Sequence, residues 1–217
     1  MLRIATEKDV PEILEIYGPY VRFSTATFEY DVPTEEEFLL RFRTITARFP
    51  WLVWEAEGKI QGYAYASPPY TRAAYSWCAE PSVYLRPEAR GRGIGKKLYG
   101  ALEEILKLQG YQVLYALVTS ENETSLAFHH RLGYMTRAEF PDCGFKDGRW
   151  LGVSWLEKRL KSVEIPISSP TPWPLLGQDA QKIHDILYRY FFNVWLVPIS
   201  PIIIAPQCPQ NSFVVNK

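Results

Sequence analysis

The chain has 217 residues, 47% hydrophobic and 22% charged, which is the composition of a globular protein and excludes a disordered or fibrous one. Lys+Arg and Asp+Glu both number 24, so the formal net charge is zero and global electrostatics lend no support to a nucleic-acid partner. Three cysteines, Cys78, Cys143 and Cys208, lie far apart without Cys-x-x-Cys spacing; this argues against a disulfide framework and a zinc site and suits a reducing compartment.

A short strand over residues 2–4 leads into a helix with Thr6 as its cap and Asp9 three residues on, where Ile13, Leu14, Ile16 and Tyr17 form an apolar stripe. No signal-peptide apolar region precedes it. The longest apolar approach to a spanning helix, residues 191–205, is interrupted by Asn193, Pro198 and Pro201. The expectation is a cytoplasmic protein with no membrane role. A second helix begins near Thr34, with Glu37 completing a capping box, and buries Phe38, Phe42 and Ile45. Residues 51–56 and 60–67 form a hairpin around Glu57-Gly58-Lys59. Pro68-Pro69 opens a loop, residues 76–85 form a strand, and a glycine-rich run precedes a helix over residues 94–109 that Gly110 stops. A strand over 112–118 and a helix over 121–131, ended by Gly133, follow. Strands over 134–141 and 150–158 flank a turn over 143–148. Antiparallel strands first, then alternating helices and strands, predict an α/β (α+β) fold: a mixed sheet with helices on both faces.

Near Leu160 the character changes. Residues 162–174 are rich in Pro and Ser, and residues 178–197 have helical spacing (Ile183, Ile186, Leu187, Tyr190, Phe191, Val194) before a Pro-broken tail. The expected organisation is a domain over 1–160 and a C-terminal appendage over 161–217, whose helix packs on the domain or on a partner.

Residues 90–96 read Arg-Gly-Arg-Gly-Ile-Gly-Lys between a predicted strand and a predicted helix. Alternating glycines let a ligand approach the backbone and permit positive φ, and the first amides of the helix face an anion with the helix dipole behind them. With Arg90, Arg92, Lys96 and Lys97 nearby, a pyrophosphate is the natural guest. A dinucleotide fingerprint fails because the third glycine comes one residue early. A Walker A loop fails because position 90 is Arg and Lys96 is followed by Lys97.

The run Arg90-x-x-Gly93-x-Gly95 resembles the coenzyme loop of the GNAT superfamily, Arg/Gln-x-x-Gly-x-Gly/Ala. Within it the chain is similar to the phosphinothricin and methionine sulfoximine acetyltransferases over residues 1–160. The similarity runs in order through Ser24-Thr25-Ala26-Thr27-Phe28, Pro50-Trp51-Leu52-Val53, Gly62-Tyr63-Ala64-Tyr65-Ala66, Arg72-x-x-Tyr75-x-Trp77-x-x-Glu80-x-Ser82-Val83-Tyr84, His129-x-x-Leu132-Gly133-Tyr134 and Gly144-Phe145-Lys146-x-Gly148-x-Trp150. The resemblance implies a mostly antiparallel central sheet splayed at the coenzyme site, acetyl-CoA as co-substrate, no metal, and a homodimer. It implies pantetheine pairing along Val83, Tyr84 and Leu85, and pyrophosphate on Arg90, Gly91, Arg92, Gly93, Ile94, Gly95 and Lys96. Asn122 would bond the coenzyme; by its own context it reads as a helix cap, and the two roles are compatible.

Acetylation of an amine needs a neutral nucleophile, so a base near the acceptor helps. The resemblance gives that part to Glu80, which stands beside Pro81 and between Trp77 and Tyr84; read alone, Glu80 is also a solvated edge-strand residue. His129, four residues before Gly133, stands where many of these enzymes carry the residue that protonates the coenzyme thiolate; read alone, it is a helix-surface residue beside His130. Arg72 and Lys146 match positions for the anionic groups of the acceptor, and Phe28 and Tyr75 for the pocket wall. Trp150-Leu151-Gly152-Val153 departs from the Trp-His-Asp-Val of phosphinothricin enzymes, which leaves the acceptor open. Cys78, on the same strand face as Glu80, reads as a small buried thiol. The implied reaction is direct transfer from acetyl-CoA to a small primary amine, an amino acid or analogue. The competing readings are acetylation of a protein or polyamine amine and a silent CoA-binding module.

Overall fold

The computed structural model describes residues 1–162, 165 and 168–193. Seven strands form one sheet: β1 (Leu2–Ile4), β2 (Trp51–Ala56), β3 (Lys59–Ser67), β4 (Cys78–Leu85), β5 (Val113–Thr119), β6 (Met135–Lys146) and β7 (Arg149–Arg159), in the order β1-β2-β3-β4-β5-β7-β6. Five α-helices accompany them: α1 (Val10–Phe23), α2 (Glu35–Thr46), α3 (Ile94–Gln109), α4 (Glu123–Arg131) and α5 (Ala180–Phe192). Every neighbouring pair of strands is antiparallel except β4 with β5.

Strand periodicity builds two cores. On β2, Trp51 and Val53 face one cluster with Ile13 and Tyr17 of α1 and Phe38 and Phe42 of α2. Leu52 and Trp54, one residue out of phase, face the other with Leu98, Leu102 and Ile105 of α3. The sheet is therefore covered on both faces, which is why β2 is buried over residues 51–54 rather than alternately.

Local signals set the ends of these elements. Thr34 Oγ1 accepts the Glu37 N–H at 3.2 Å while Glu37 Oε2 accepts the Thr34 N–H at 2.8 Å, a reciprocal capping box at the start of α2. The turn expected over 143–148 is tighter: Asp147 and Gly148 carry it with φ of 52° and 77°, the Asp-Gly pair that twists a hairpin correctly. β6 runs through Cys143 to Lys146 because a bulge between Phe140 and Gly144 absorbs the extra residues, Pro141 among them.

β4 and β5 pair only at Cys78↔Val113 and Ala79↔Leu114. Beyond that point β3 stays on β4 as far as Gly62↔Leu85, and β7 stays on β5 as far as Thr119↔Val153. The sheet opens between its two halves, and Pro81, which has no N–H to give a ladder, stands at the divergence.

The segment beyond Leu160 is joined to this framework. Thr171 and Gln109 exchange bonds, Thr171 N–H to the Gln109 carbonyl at 2.8 Å and Gln109 Nε2 to the Thr171 carbonyl at 2.8 Å. Short 3₁₀ turns over Trp173–Asp179 lead into α5, where Ile183 and Ile186, with Leu176 before them, are buried in the α3 cluster. Gly100 on α3 lets the Tyr190 ring come close: a Cβ there would lie 2.5 Å from Tyr190 Cε1. The rest of the helix expected to residue 197, the Pro-broken tail and Cys208 lie outside the described residues. Among the described residues, no helix is long and apolar enough to cross a membrane.

Candidate active site

A cleft of about 1410 Å³ occupies the divergence of β4 and β5. Its wall brings together Glu80, Val83, Tyr84 and Leu85 of β4, Arg90, Gly91, Gly93, Ile94, Gly95 and Lys96 of the glycine-rich run, Asn122 and His129 of the α4 region, and Phe28. Arg92, Arg72, Tyr75 and Lys146 do not border it. Cys78 does not border it either, and burial pushes its thiol pKa up.

At one end the glycine-rich run turns into α3. Gly91 and Gly93 have φ of 72° and 77°, in the left-handed region, so glycine answers a conformational need there. Gly93 is the N-cap and offers no side-chain acceptor; the first helical bond is from the Lys97 N–H to the Gly93 carbonyl at 3.2 Å. The preceding amides, with the dipole of a 16-residue helix behind them, form a cradle for an anion. A Cβ on Gly95 would meet Leu85 Cδ1 at 3.4 Å and Phe128 at 3.6 Å, so the helix start is seated directly against β4 and α4. Asn122 caps α4, its Oδ1 accepting the Ser125 N–H at 3.1 Å.

The open edge of β4 carries a contact that the sequence did not announce. Tyr20 of α1 donates its hydroxyl proton to the Leu85 carbonyl at 2.7 Å and accepts the Leu85 N–H at 3.1 Å. The Arg90 guanidinium lies 5.2 Å from the Tyr20 ring centroid.

Glu80 stands at the first position past the last β4–β5 pair. It is half-buried, and burial raises its carboxyl above the usual carboxylate range. This is the setting of a base tuned toward neutrality.

His129 is buried rather than on the helix surface. Its Nδ1 lies 2.8 Å from the Ser125 carbonyl, which only accepts, so the neutral ring carries its proton there. Its Nε2 lies 2.9 Å from the Tyr99 hydroxyl, which is also 3.0 Å from the Pro81 carbonyl. Burial lowers the imidazole pKa; the Ser125 bond opposes this in part, and His130 adds a smaller lowering. Both nitrogens of His129 are thus engaged by protein, which corrects the expectation of a ready donor: protonating a thiolate requires the ring to leave one of these bonds.

Lys146 is a second correction. It is 2% exposed, and Nζ donates to the carbonyls of Val21 at 2.9 Å, Ser24 at 2.8 Å and Thr27 at 2.8 Å. An ammonium has three protons, so none is left for an acceptor. Lys146 instead fastens the end of α1 and the following loop to the β6–β7 hairpin, where the Phe28 ring lies over Gly144, 2.2 Å from the position of a Cβ. At the rim Arg149 holds Glu121 with two bonds of 2.5 and 2.7 Å, and Thr25 Oγ1 donates to Glu121 at 2.9 Å. Arg72 and Tyr75 flank a 3₁₀ turn away from the wall, Tyr75 packed on Tyr70 with centroids 4.3 Å apart. The wall also contains Tyr17, Glu29 and Arg41, which no motif marked, and Tyr65 of the Gly62–Ala66 motif.

A sheet that parts beside a glycine-rich helix start is the arrangement that the resemblance to the GNAT acetyltransferases implied. The acetyltransferase (GNAT) domain model matches residues 2–155, and the chain belongs to that family. The phosphinothricin N-acetyltransferase of Streptomyces viridochromogenes is 32% identical to it over 79% of this chain and 91% of its own length. The L-methionine sulfoximine/L-methionine sulfone acetyltransferase of Salmonella typhimurium is 30% identical over 76% of this chain and 97% of its own. Among solved structures, a phosphinothricin acetyltransferase from Sinorhizobium meliloti in complex with acetyl-CoA is 37% identical, with a TM-score of 0.76 over 80% of this chain and 96% of that one. An acetyltransferase from Salmonella typhimurium with its cofactor acetyl-CoA is 29% identical, with a TM-score of 0.73 over 77% and 98%.

Proposed function

We propose that the chain moves the acetyl group of acetyl-CoA to the primary amine of a free amino acid or analogue of the phosphinothricin or methionine sulfoximine type, by direct transfer in a ternary complex. The observation that carries this reading is the position of Glu80, a carboxyl of raised pKa at the mouth of the gap between β4 and β5. The cradle of Gly91–Gly95 and the first α3 amides fits the coenzyme pyrophosphate, and the edge of β4 over residues 83–85, which no strand covers and where Tyr20 bonds Leu85, fits the amide-bearing pantetheine arm. Glu80 takes a proton from the acceptor ammonium, and the neutral nitrogen then attacks the thioester carbonyl. The C–S bond breaks as the nitrogen gives up its second proton and the departing CoA sulfur takes one up from the site or from solvent, leaving the N-acetyl product and CoA thiol. His129 and Tyr99 hold α4, α3 and β4 in place around the reacting atoms. The same reading takes the enzyme as a cytoplasmic homodimer; light scattering on the purified protein tests the assembly.

The test is acetyl-CoA consumption across a panel of free amino acids, their analogues, polyamines and peptides. Turnover concentrated on amino acids, and loss of about 10²–10⁴ in rate in Glu80→Gln, are the expected results. Equal turnover by wild type and Glu80→Gln across about pH 6–9 removes the base role, and acetylation confined to polyamines or peptides overturns the acceptor class.

A further inference from the structure

Resting on the reading of Glu80 as the base, we propose that Tyr99 is its positioning residue: the Tyr99 hydroxyl fixes the stretch of β4 that carries Glu80 at a set place relative to the coenzyme cradle.

A strand holds its course when its backbone groups are bonded on both edges. On one edge β3 pairs with β4 through Ser67↔Glu80 and Ala66↔Pro81. On the other the last pair with β5 is Ala79↔Leu114, so Glu80 begins the stretch that β5 has left. Pro81 comes next and has no N–H, which leaves its carbonyl as the only backbone group it can bond with. The Tyr99 hydroxyl donates to that carbonyl at 3.0 Å, in a buried contact one peptide away from the base. A side chain of α3 thus takes the place of the missing strand neighbour.

The same hydroxyl lies 2.9 Å from His129 Nε2. With the ring proton on Nδ1, both neighbours of the hydroxyl are acceptors, and its single proton draws β4 and α4 to one point. Tyr99 itself is 0% exposed, its ring edge-on to Phe128, His129 and Tyr134. Its place is therefore set by the core rather than by a ligand. It stands on the helix whose first residues, Ile94 and Gly95, belong to the cradle, so what it bonds is held in register with the coenzyme. Ala79 lies in the α3 core, and strand alternation turns Glu80 to the opposite face of β4. Tyr99 acts on Glu80 through the backbone.

The experiment is a double-mutant cycle in turnover: wild type, Tyr99→Phe, Glu80→Gln and the pair, on an amino acid that the wild type acetylates, with acetyl-CoA binding followed by calorimetry. Tyr99→Phe keeps the ring and removes only the hydroxyl. It is expected to lower kcat about 10- to 100-fold, with the acetyl-CoA Kd within a few-fold of wild type. In Glu80→Gln the same change is expected to cost less than about 2-fold, because no base is left to misplace. Equal losses in the two backgrounds overturn the proposal, since the hydroxyl then acts on the fold at large or through His129. Full activity in Tyr99→Phe overturns it too, and so does a Tyr99→Phe protein that fails to fold or to bind acetyl-CoA. In each of these cases the loss in Glu80→Gln remains, and the proposed function with it. Turnover by Glu80→Gln equal to wild type removes the base role and this proposal together.

Discussion

The hydroxyl of Tyr20 bonds both the carbonyl of Leu85, at 2.7 Å, and its N–H, at 3.1 Å, so one side chain stands in for a strand neighbour on the open edge of β4. A pantetheine arm lying along that edge competes for the same two groups. Tyr20→Phe therefore has opposite effects on the free and loaded enzyme. It lowers the stability of the free protein by about 0.5–1.5 kcal/mol and tightens acetyl-CoA several-fold, read by thermal melting and by calorimetric titration. Weaker coenzyme binding in this variant shows instead that Tyr20 templates the edge.

Glu80 gives a pH signature in both rate and stability. Its carboxyl is raised by burial, so the folded state holds a proton that the unfolded chain has released over the window between the two pKa values. Stability then falls as pH rises through that window, while the base form and kcat/KM increase. Glu80→Gln is expected to be more stable than wild type at neutral pH and to lose the rising limb of the rate profile. Chemical denaturation at several pH values, beside initial rates, checks both signs.

His129 is lowered by burial, which reverses the linkage. The folded protein holds the ring neutral where the unfolded chain begins to protonate, so this contribution to stability is present at neutral pH. It is lost as pH falls through the unfolded value of about 6.5 and on toward the lower folded one. Nitrogen NMR of the imidazole is expected to show the Nδ1–H form at pH 7. A signal from the Nε2–H form contradicts the bond to Ser125.

Lys146→Met removes three charge-assisted bonds to loop carbonyls and leaves those acceptors buried. A loss of about 3–5 kcal/mol in stability is expected, with a rise in acceptor KM and little change in acetyl-CoA affinity, because the loop carrying Thr25–Phe28 is released. Raised KM with an unaltered melting temperature is what a substrate-binding lysine gives.

Removal of the chain after residue 162 uncovers the α3 surface on which Leu176, Ile183 and Ile186 are buried. Each such side chain contributes about 1.5–3 kcal/mol when fully buried. The truncated protein is expected to melt far below the full chain or to aggregate, as followed by circular dichroism and light scattering. Equal melting temperatures identify a separable appendage.

Much of this enzyme is written in local pattern. The capping box of Thr34 and Glu37, the hairpin at Glu57-Gly58, the helix from Ile94 to Gln109 and the glycine-rich anion cradle each depend on residues a few positions apart, so spacing alone reveals them. The family followed from ordered motifs along residues 1–160, and with it Glu80. What reached beyond sequence was the partner of each buried polar group. Lys146 finds its carbonyls 119 to 125 residues away, Tyr20 meets Leu85 across 65 residues, and His129 meets Tyr99 across 30. A charged side chain reads the same whether it faces a ligand or three carbonyls. Only the packing of α1, the sheet and the β6–β7 hairpin decided that Lys146 is structural and that Arg41 faces the cleft. The underlying reason is desolvation: burying a charge demands partners, and tertiary contact alone supplies them.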